Sequence, residues 1–454
     1  MANETTISAM IEKAREAQKQ IFDYKQEQVD LLARTIAKIV YDRADELAKM
    51  AHEETRMGVY EHKIKKNMGK ARIIWNHIKD KKSVGIIAVH EDTGIIEVAK
   101  PLGVVACVTP TTNPIVTPMC NAMYAIKGRN AIIIAPHPRA KHVTKYLVGL
   151  FNEAIGELGA PENLIQIIEE PSNDKTAELM KAADVVVATG GMGMVKAAYG
   201  SGKPALGVGV GNVQCIVDRD VDFHEVARKV VEGREFDNGI ICSAEQTVIA
   251  HRDDYEAVIA ALQANGAFYI GDSAEVARLR DVLFPGGVMN KDLVGQSAIK
   301  VAEAAGITVP ADTRVLVAKA SGIGRADLLC KEKMCPVLAS FAYDTFEEAV
   351  AIADANLNYE GKGHTVAIHS YNQANIEYAG LKLPVSRVLL NQICATMNGG
   401  SFFNGLAPTT TLGCGSWGNN SISENLDYKH MFNVTRIAYF KKDAYVPTDE
   451  EMWS

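Results

Sequence analysis

Cysteine is scarce in this chain: eight thiols in 454 residues, with no Cys-x-x-Cys pair and no histidine at zinc-ligand spacing beside any of them. Neither a disulfide framework nor a metal site is expected, and a reducing, cytoplasmic compartment fits. Positive charge is not in excess either. The formal net charge of −7 gives no support to nucleic-acid binding, although a local basic patch for a phosphorylated ligand is compatible with it. No apolar run reaches the ~18–20 residues that span a bilayer. The opening Met1-Ala2-Asn3-Glu4-Thr5-Thr6 lacks both the basic and the apolar parts of a secretory signal. The sequons at Asn419 and Asn433 are then chance matches. Internal repeats and low-complexity segments are also missing.

What is present is an ordinary globular composition, 47% hydrophobic and 23% charged. At about 100–200 residues per domain, the length predicts two or three domains. The first 80 or so residues read as helices, with Leu31, Leu32, Ile36, Ile39, Val40 and Leu47 at helical spacing. Two β-branched runs, 84–89 and 95–99, flank Asp92-Thr93-Gly94 and predict a hairpin. From 103 the pattern alternates: strands at 103–108, 131–135, 164–168 and 184–188, helices at 119–127, 141–156 and 175–182. Short apolar runs separated by helices are parallel strands buried on both faces. That is a doubly wound α/β domain, with its ligand beyond the carboxyl ends of the strands. A second α/β segment begins near 231, and 434–439 offers a last strand.

Four stretches carry chemistry. In Phe236-Asp237-Asn238-Gly239-Ile240-Ile241-Cys242 a single cysteine follows an Asn-Gly turn and precedes the apolar run 247–250. Such a thiol can sit at the lip of a strand and face one reacting atom, but a lone cysteine is equally read as a small buried hydrophobe. After the strand 103–108 comes Thr109-Pro110-Thr111-Thr112-Asn113-Pro114. Proline after Asn113 restrains its backbone, and its amide could donate to an oxyanion or merely close a turn. Thr189-Gly190-Gly191 follows a strand, and its glycines let a dinucleotide approach the backbone. His137, Arg139 and Lys141 follow the strand 131–135 and could hold a phosphate, or form a solvated helix start. A literal G-x-G-x-x-G at 413–418 opens no βαβ unit and is a false match.

Together these segments, with 207–212, 331–337 and 411–426, resemble the aldehyde dehydrogenase superfamily, specifically its CoA-acylating branch. Stretches such as Tyr359-Glu360-Gly361-Lys362-Gly363-His364-Thr365 are similar to those of stand-alone enzymes of that branch that act on succinate semialdehyde. The chain ends where bifunctional aldehyde–alcohol dehydrogenases would continue, so an aldehyde is the expected end product. The resemblance implies an aldehyde dehydrogenase fold: a Rossmann-like cofactor domain (1–83 and 101–230), an α/β catalytic domain (231–430) and a small β oligomerisation arm (84–100 and 431–454). It further implies Cys242 as nucleophile, Asn113 as oxyanion donor, and Thr111, Thr112, Thr189, Gly190, Gly191 and Gly209 around the dinucleotide. Glu332 would meet the nicotinamide ribose; without the resemblance it reads as a solvated charge. CoA would be co-substrate, the substrate a small aldehyde or its acyl-CoA, and the assembly a homodimer or larger.

Two departures from relatives are informative. Hydrolytic aldehyde dehydrogenases carry a glutamate that activates the deacylating water, whereas 203–217 here contains no carboxylate. Without a general base, water attacks a thioester slowly and the CoA thiol takes the acyl group. NAD-selective relatives place an acid near the adenosine ribose. The segment 136–141 has none, and His137, Arg139 and Lys141 favour NADP over NAD. For a distal substrate carboxylate the candidates are Arg234 and Arg387, and His364 for substrate or CoA. Structural ion pairing is the commoner role for each arginine taken singly.

Overall fold

The computed structural model describes residues 6–454. Four helices open it: α1 (Ile7–Gln20), α2 (Gln26–Asp42), α3 (Ala44–Thr55) and α4 (Tyr60–Ile78). The Thr6 hydroxyl accepts the Ala9 N–H and starts α1. The helical periodicity of α2 is realised as a buried stripe of Val29, Leu32, Ala33, Ile36, Ala37 and Val40. The hairpin follows as β1 (Gly85–His90) and β2 (Ile95–Pro101), antiparallel, with a bulge between Ile86 and Ala88.

The alternating region gives β3 (Val104–Val108), α5 (Val116–Lys127), β4 (Ala131–Ala135), α6 (Lys141–Glu157), β5 (Ile165–Ile167), α7 (Asn173–Ala182), β6 (Val185–Thr189), α8 (Met192–Tyr199) and β7 (Ala205–Val208). Its strands form a parallel sheet in the order β5-β4-β3-β6-β7. Every residue of β3, β4 and β6 is buried, as the unbroken apolar runs require of strands covered on both faces. The chain winds outward from β3 to β5 and returns beside β3 with β6. The order therefore reverses between those two strands, and a crevice opens beyond their carboxyl ends. The turns there are 109–113 and 190–191.

The second sheet contains β8 (Gln214–Val217), followed by α9 (Phe223–Glu235), then β9 (Thr247–His251), β10 (Ala267–Ile270), β11 (Val315–Lys319), β12 (Val337–Tyr343), β13 (Gly363–His369) and β14 (Val385–Leu390). All seven strands are parallel, in the order β10-β11-β12-β9-β8-β13-β14. The expected boundary at 230 is corrected by this topology. β8 pairs with β9 and β13, so the chain passes between the sheets at 209–213. A strand of four residues led by a glutamine does not announce the change of sheet. Finally, β15 (Phe432–Ala438) returns to β2, from Phe432 against Pro101 to Ala438 against Ile95. On this three-stranded arm and its tail Ile86, Val89, Ile437, Tyr439 and Phe440 are exposed. Among the described residues no helix is long and apolar enough to cross a membrane.

Candidate active site

Seven of the eight cysteines are buried, and Cys242 alone is partly open. It faces a cavity of about 330 Å³ whose wall also includes Asn113, so the thiol and the amide from the two separate sheets meet at one space. Phe236, Ile241, Val116 and Leu412 supply apolar surface, and the loop 399–403 closes one side. α4 contributes Lys65, Lys66 and Lys70, with Gly69 leaving room between them. Among the described residues no aspartate, glutamate or histidine lines the cavity. The carboxylate-free stretch 203–217 is thus matched by a cavity with no carboxylate from elsewhere.

Gly211 sets the position of the thiol. A Cβ on Gly211 would fall 1.9 Å from the Cys242 carbonyl oxygen and 2.9 Å from its Cβ, so only glycine fits. The Gly211 N–H donates to Oε1 of Glu332 at 3.2 Å, and the Glu332 N–H donates to Oε2 of Glu360 at 2.8 Å. Burial and the neighbouring Glu360 charge push the Glu332 carboxyl up to about 8. Burial, then Glu332 and Cys414, push the Cys242 thiol up to about 12, against an opposing pull from Arg387. The resting thiol is therefore neutral, and its own backbone N–H turns toward the sulfur. Beneath it, Ser243 donates to the Ala395 carbonyl at 3.0 Å and Glu245 accepts the Cys394 N–H at 2.7 Å. These tie the Cys242 loop to the short helix Cys394–Met397, of which Ala395, Thr396 and Met397 line the cavity. Glu245 is fully buried with one oxygen unpartnered, and burial lifts its carboxyl to about 7.

The crevice between β3 and β6 suits a dinucleotide. Gly191 caps α8, and a Cβ on Gly191 or Gly193 would meet nothing within 4 Å, so the turn is open to a ligand. Thr189 holds Thr411 at 3.0 Å between hydroxyls, and Gly209 lies against the Met192 sulfur, 3.2 Å from the position of a Cβ. Thr111 and Thr112 form the turn after β3. The three cations after β4 are not equivalent. Lys141 pairs with Glu170 at 2.5 Å, an acid that the local sequence did not offer. Burial lowers the His137 imidazole, which accepts the Arg139 N–H. The Arg139 side chain has no partner among the described residues.

Arg234, Arg387 and His364, the candidates for a substrate group or CoA, are not among the residues that line the cavity. Arg234 is fully buried and donates to the carbonyls of Lys333 and Cys335. Arg387 donates to the Gly413 carbonyl at 2.8 Å, the His364 carbonyl at 2.9 Å and Thr365 Oγ1 at 3.2 Å. Their guanidinium groups organise backbone, because each loop packed on them presents unpaired carbonyls that need a donor. His364 is fully buried with both ring nitrogens unpartnered, and burial with the Arg387 charge drives it well below the usual imidazole range. Sequence reasoning missed the α4 cations. Lys66 and Lys70 are one turn apart, a spacing that reads as a solvated face unless the helix is known to border a cavity.

The model of the aldehyde dehydrogenase family matches residues 1–277, and the chain belongs to that family. It is 58% identical, over the whole of both chains, to a succinate-semialdehyde dehydrogenase (acetylating) of Clostridium kluyveri. A sulfoacetaldehyde dehydrogenase of an Acholeplasma species is 42% identical, with 98% of this chain and 92% of that one aligned. In three dimensions the chain is similar to an acetylating aldehyde dehydrogenase from Geobacillus thermoglucosidasius, with a TM-score of 0.93, 36% identity and coverage of 97% and 98% of the two chains.

Two outcomes are expected from this geometry. Gly211→Ala forces the Cys242 backbone to move, and a misplacement of about 1 Å lowers turnover by roughly 10²-fold; steady-state rates of the folded variant, checked by circular dichroism, decide. Glu245 is protonated more readily folded than unfolded, being raised from 4.5 to about 7. Its stabilisation is full below about pH 4.5 and is lost as pH rises through about 7, some 3 kcal/mol in all at ~1.4 kcal/mol per unit. Glu245→Gln stays neutral at every pH, so denaturant melts between pH 5 and 8 will show a flatter stability profile than the native chain. Identical slopes would exclude this role.

Proposed function

We propose that this chain is a CoA-acylating aldehyde dehydrogenase that interconverts succinate semialdehyde and CoA with succinyl-CoA. The observation that carries the reading is the composition of the Cys242 cavity: one open thiol, one amide, three lysines and, among the described residues, no carboxylate or imidazole. The Cys242 sulfur attacks the aldehyde carbon while its thiol proton passes to water in the cavity, and the oxygen that gains charge is met by the Asn113 amide and the Cys242 N–H. A nicotinamide dinucleotide held in the crevice between β3 and β6 would supply the hydride acceptor. The acyl group then remains on Cys242 as a thioester. Water that enters finds no carboxylate or imidazole to deprotonate it, and general-base help of that kind is worth about 10²–10⁴ in rate. The acyl-enzyme therefore lasts until the CoA thiol displaces Cys242, giving ping-pong kinetics.

The charge of the cavity supports a carboxylated aldehyde over acetaldehyde. Lys70 donates to the carbonyls of Gly399 at 2.8 Å and Thr409 at 3.1 Å, with no carboxylate partner. Burial lowers its ammonium to about 8, so an anion beside it relieves an uncompensated charge. The names of the two relatives above both specify an aldehyde bearing an anionic group, a carboxylate in one and a sulfonate in the other. On the cofactor side, Arg139 is the cation left free to meet a 2′-phosphate, which favours NADP over NAD. The exposed apolar residues of the β1-β2-β15 arm fit a homodimer or larger assembly of a cytoplasmic enzyme.

Reduction of succinyl-CoA and acetyl-CoA, each with NADPH and NADH, tests the substrate and cofactor together. Succinyl-CoA with NADPH is expected to lead, Cys242→Ser to abolish turnover, and Lys70→Met to raise KM for succinyl-CoA at least tenfold while leaving acetyl-CoA little changed. A preference for acetyl-CoA would discard the four-carbon assignment. Removal of residues 441–454 is expected to shift the sedimentation coefficient toward the monomer, and an unchanged profile would count against the arm as the assembly surface.

A further inference from the structure

Lys66 stands one turn before Lys70 on the same cavity wall, but its partners are of a different kind. Its ammonium lies 2.6 Å from Oδ2 of Asp237 and 3.5 Å from the Thr112 carbonyl, the latter at the long end of hydrogen-bonding range. Asp237 belongs to the loop that ends at Cys242, and Thr112 is the covalent neighbour of Asn113. One side chain thus touches both segments that bring the thiol and the amide to the cavity, and those segments come from different sheets.

The Asp237 end is fixed in an unusual way. Asp237 and Asn238 are both left-handed, each with φ 52°, a conformation that non-glycine residues keep only when their surroundings impose it. Here the surroundings do. The Asp237 side chain is fully buried and accepts the Val59 N–H at 2.9 Å and the Lys63 ammonium at 3.1 Å on both oxygens. The Asp237 N–H donates to His62 Nδ1 at 2.9 Å, and the His62 ring stacks on Phe236 at 4.9 Å. Asn238 donates to the Gly295 carbonyl at 2.9 Å.

Charge balance alone does not account for Lys66. Lys63 already neutralises Asp237. A second ammonium on the same buried carboxylate opposes the first, and the Lys63 ammonium is lowered to about 8 by burial and by Lys66. Buried ion pairs of this kind add little net stability and serve to fix geometry when they are kept. The position of Lys66 shows which geometry is at stake.

We propose that Lys66, bridging Asp237 and the Thr112 carbonyl, is a positioning residue that sets the separation between the Cys242 sulfur and the Asn113 amide. The inference rests on the reading of Cys242 as nucleophile and Asn113 as oxyanion donor. It assigns Lys66 and Lys70 different tasks: Lys66 acts on every substrate alike, whereas Lys70 senses the distal charge.

The experiment compares Lys66→Met, Asp237→Asn and the double variant with succinyl-CoA and with acetyl-CoA, beside Cys242→Ser. Lys66→Met and Asp237→Asn are each expected to lower kcat 10–100-fold for both substrates, with KM changed less than threefold. The double variant is expected to be no slower than the worse single one, because both remove the same bridge. Alkylation of Cys242 by iodoacetamide is expected to stay within threefold of the native rate, since the bridge fixes separation and not the thiol itself. Lys66→Arg, which keeps a donor for both partners, should recover most of the lost kcat. A native kcat in Lys66→Met, a rise in KM confined to succinyl-CoA, or multiplicative losses in the double variant would each overturn the proposal. If Lys66→Met does not fold, Lys66→Gln is measured in its place and the same outcomes decide. Turnover by Cys242→Ser would instead overturn the nucleophile reading, independently of Lys66.

Discussion

Between the two parallel sheets the chain crosses at residues 209–213, and there Gly211 lies so close to Cys242 that a single added carbon would strike its carbonyl. This contact is where the Cys242 loop is held against the rest of the protein. The same glycine N–H reaches Glu332, so the backbone that fixes the thiol also fixes the carboxyl that modulates it. The missing Cβ is what permits this close approach, since close-packed interiors leave no room for an added carbon. The loop 236–241 closes the arrangement from below, through the buried charges on Asp237, and the short helix at 394–397 closes it through Ser243 and Glu245.

The electrostatics of the cavity run in two directions. Lys65, Lys66 and Lys70 give its wall a positive field, yet the thiol itself is held neutral by burial and then by Glu332 and Cys414. A positive wall would favour the thiolate if it lay at contact distance. Desolvation is the larger effect, as it usually is for a group enclosed by protein atoms. The positive field of the wall and the neutrality of the thiol are therefore separate properties of the cavity.

Much of the scaffold was legible in the sequence because its signals are local. Unbroken runs such as Val104–Val108 and Ala131–Ala135 can only be strands covered on both faces, and Asp92-Thr93-Gly94 between β-branched runs can only be a turn. Cys242 and Asn113 stood out as chemistry-bearing residues, and the fold places them on one cavity. Long-range pairings were not legible. Nothing near Lys141 announces Glu170, which arrives from the loop after β5. Arg234 and Arg387 look like free cations until the carbonyls that surround them are seen. Lys66 and Lys70 look like a solvated helix face until α4 is found beside the thiol. The change of sheet at β8 was hidden for a related reason: strand membership is decided by partners more than a hundred residues away, as Gln214 against Val366 illustrates.

The neutrality of the resting thiol bears on its side reactions. With Cys242 lifted to about 12, little thiolate is present at neutral pH. Since the thiolate is the form that reacts with oxidants and stray electrophiles, the free enzyme is protected to that extent. Burial and the Glu332 charge are the two largest causes of that neutrality, and a positive charge brought within a few ångströms of the sulfur acts in the opposite sense to both.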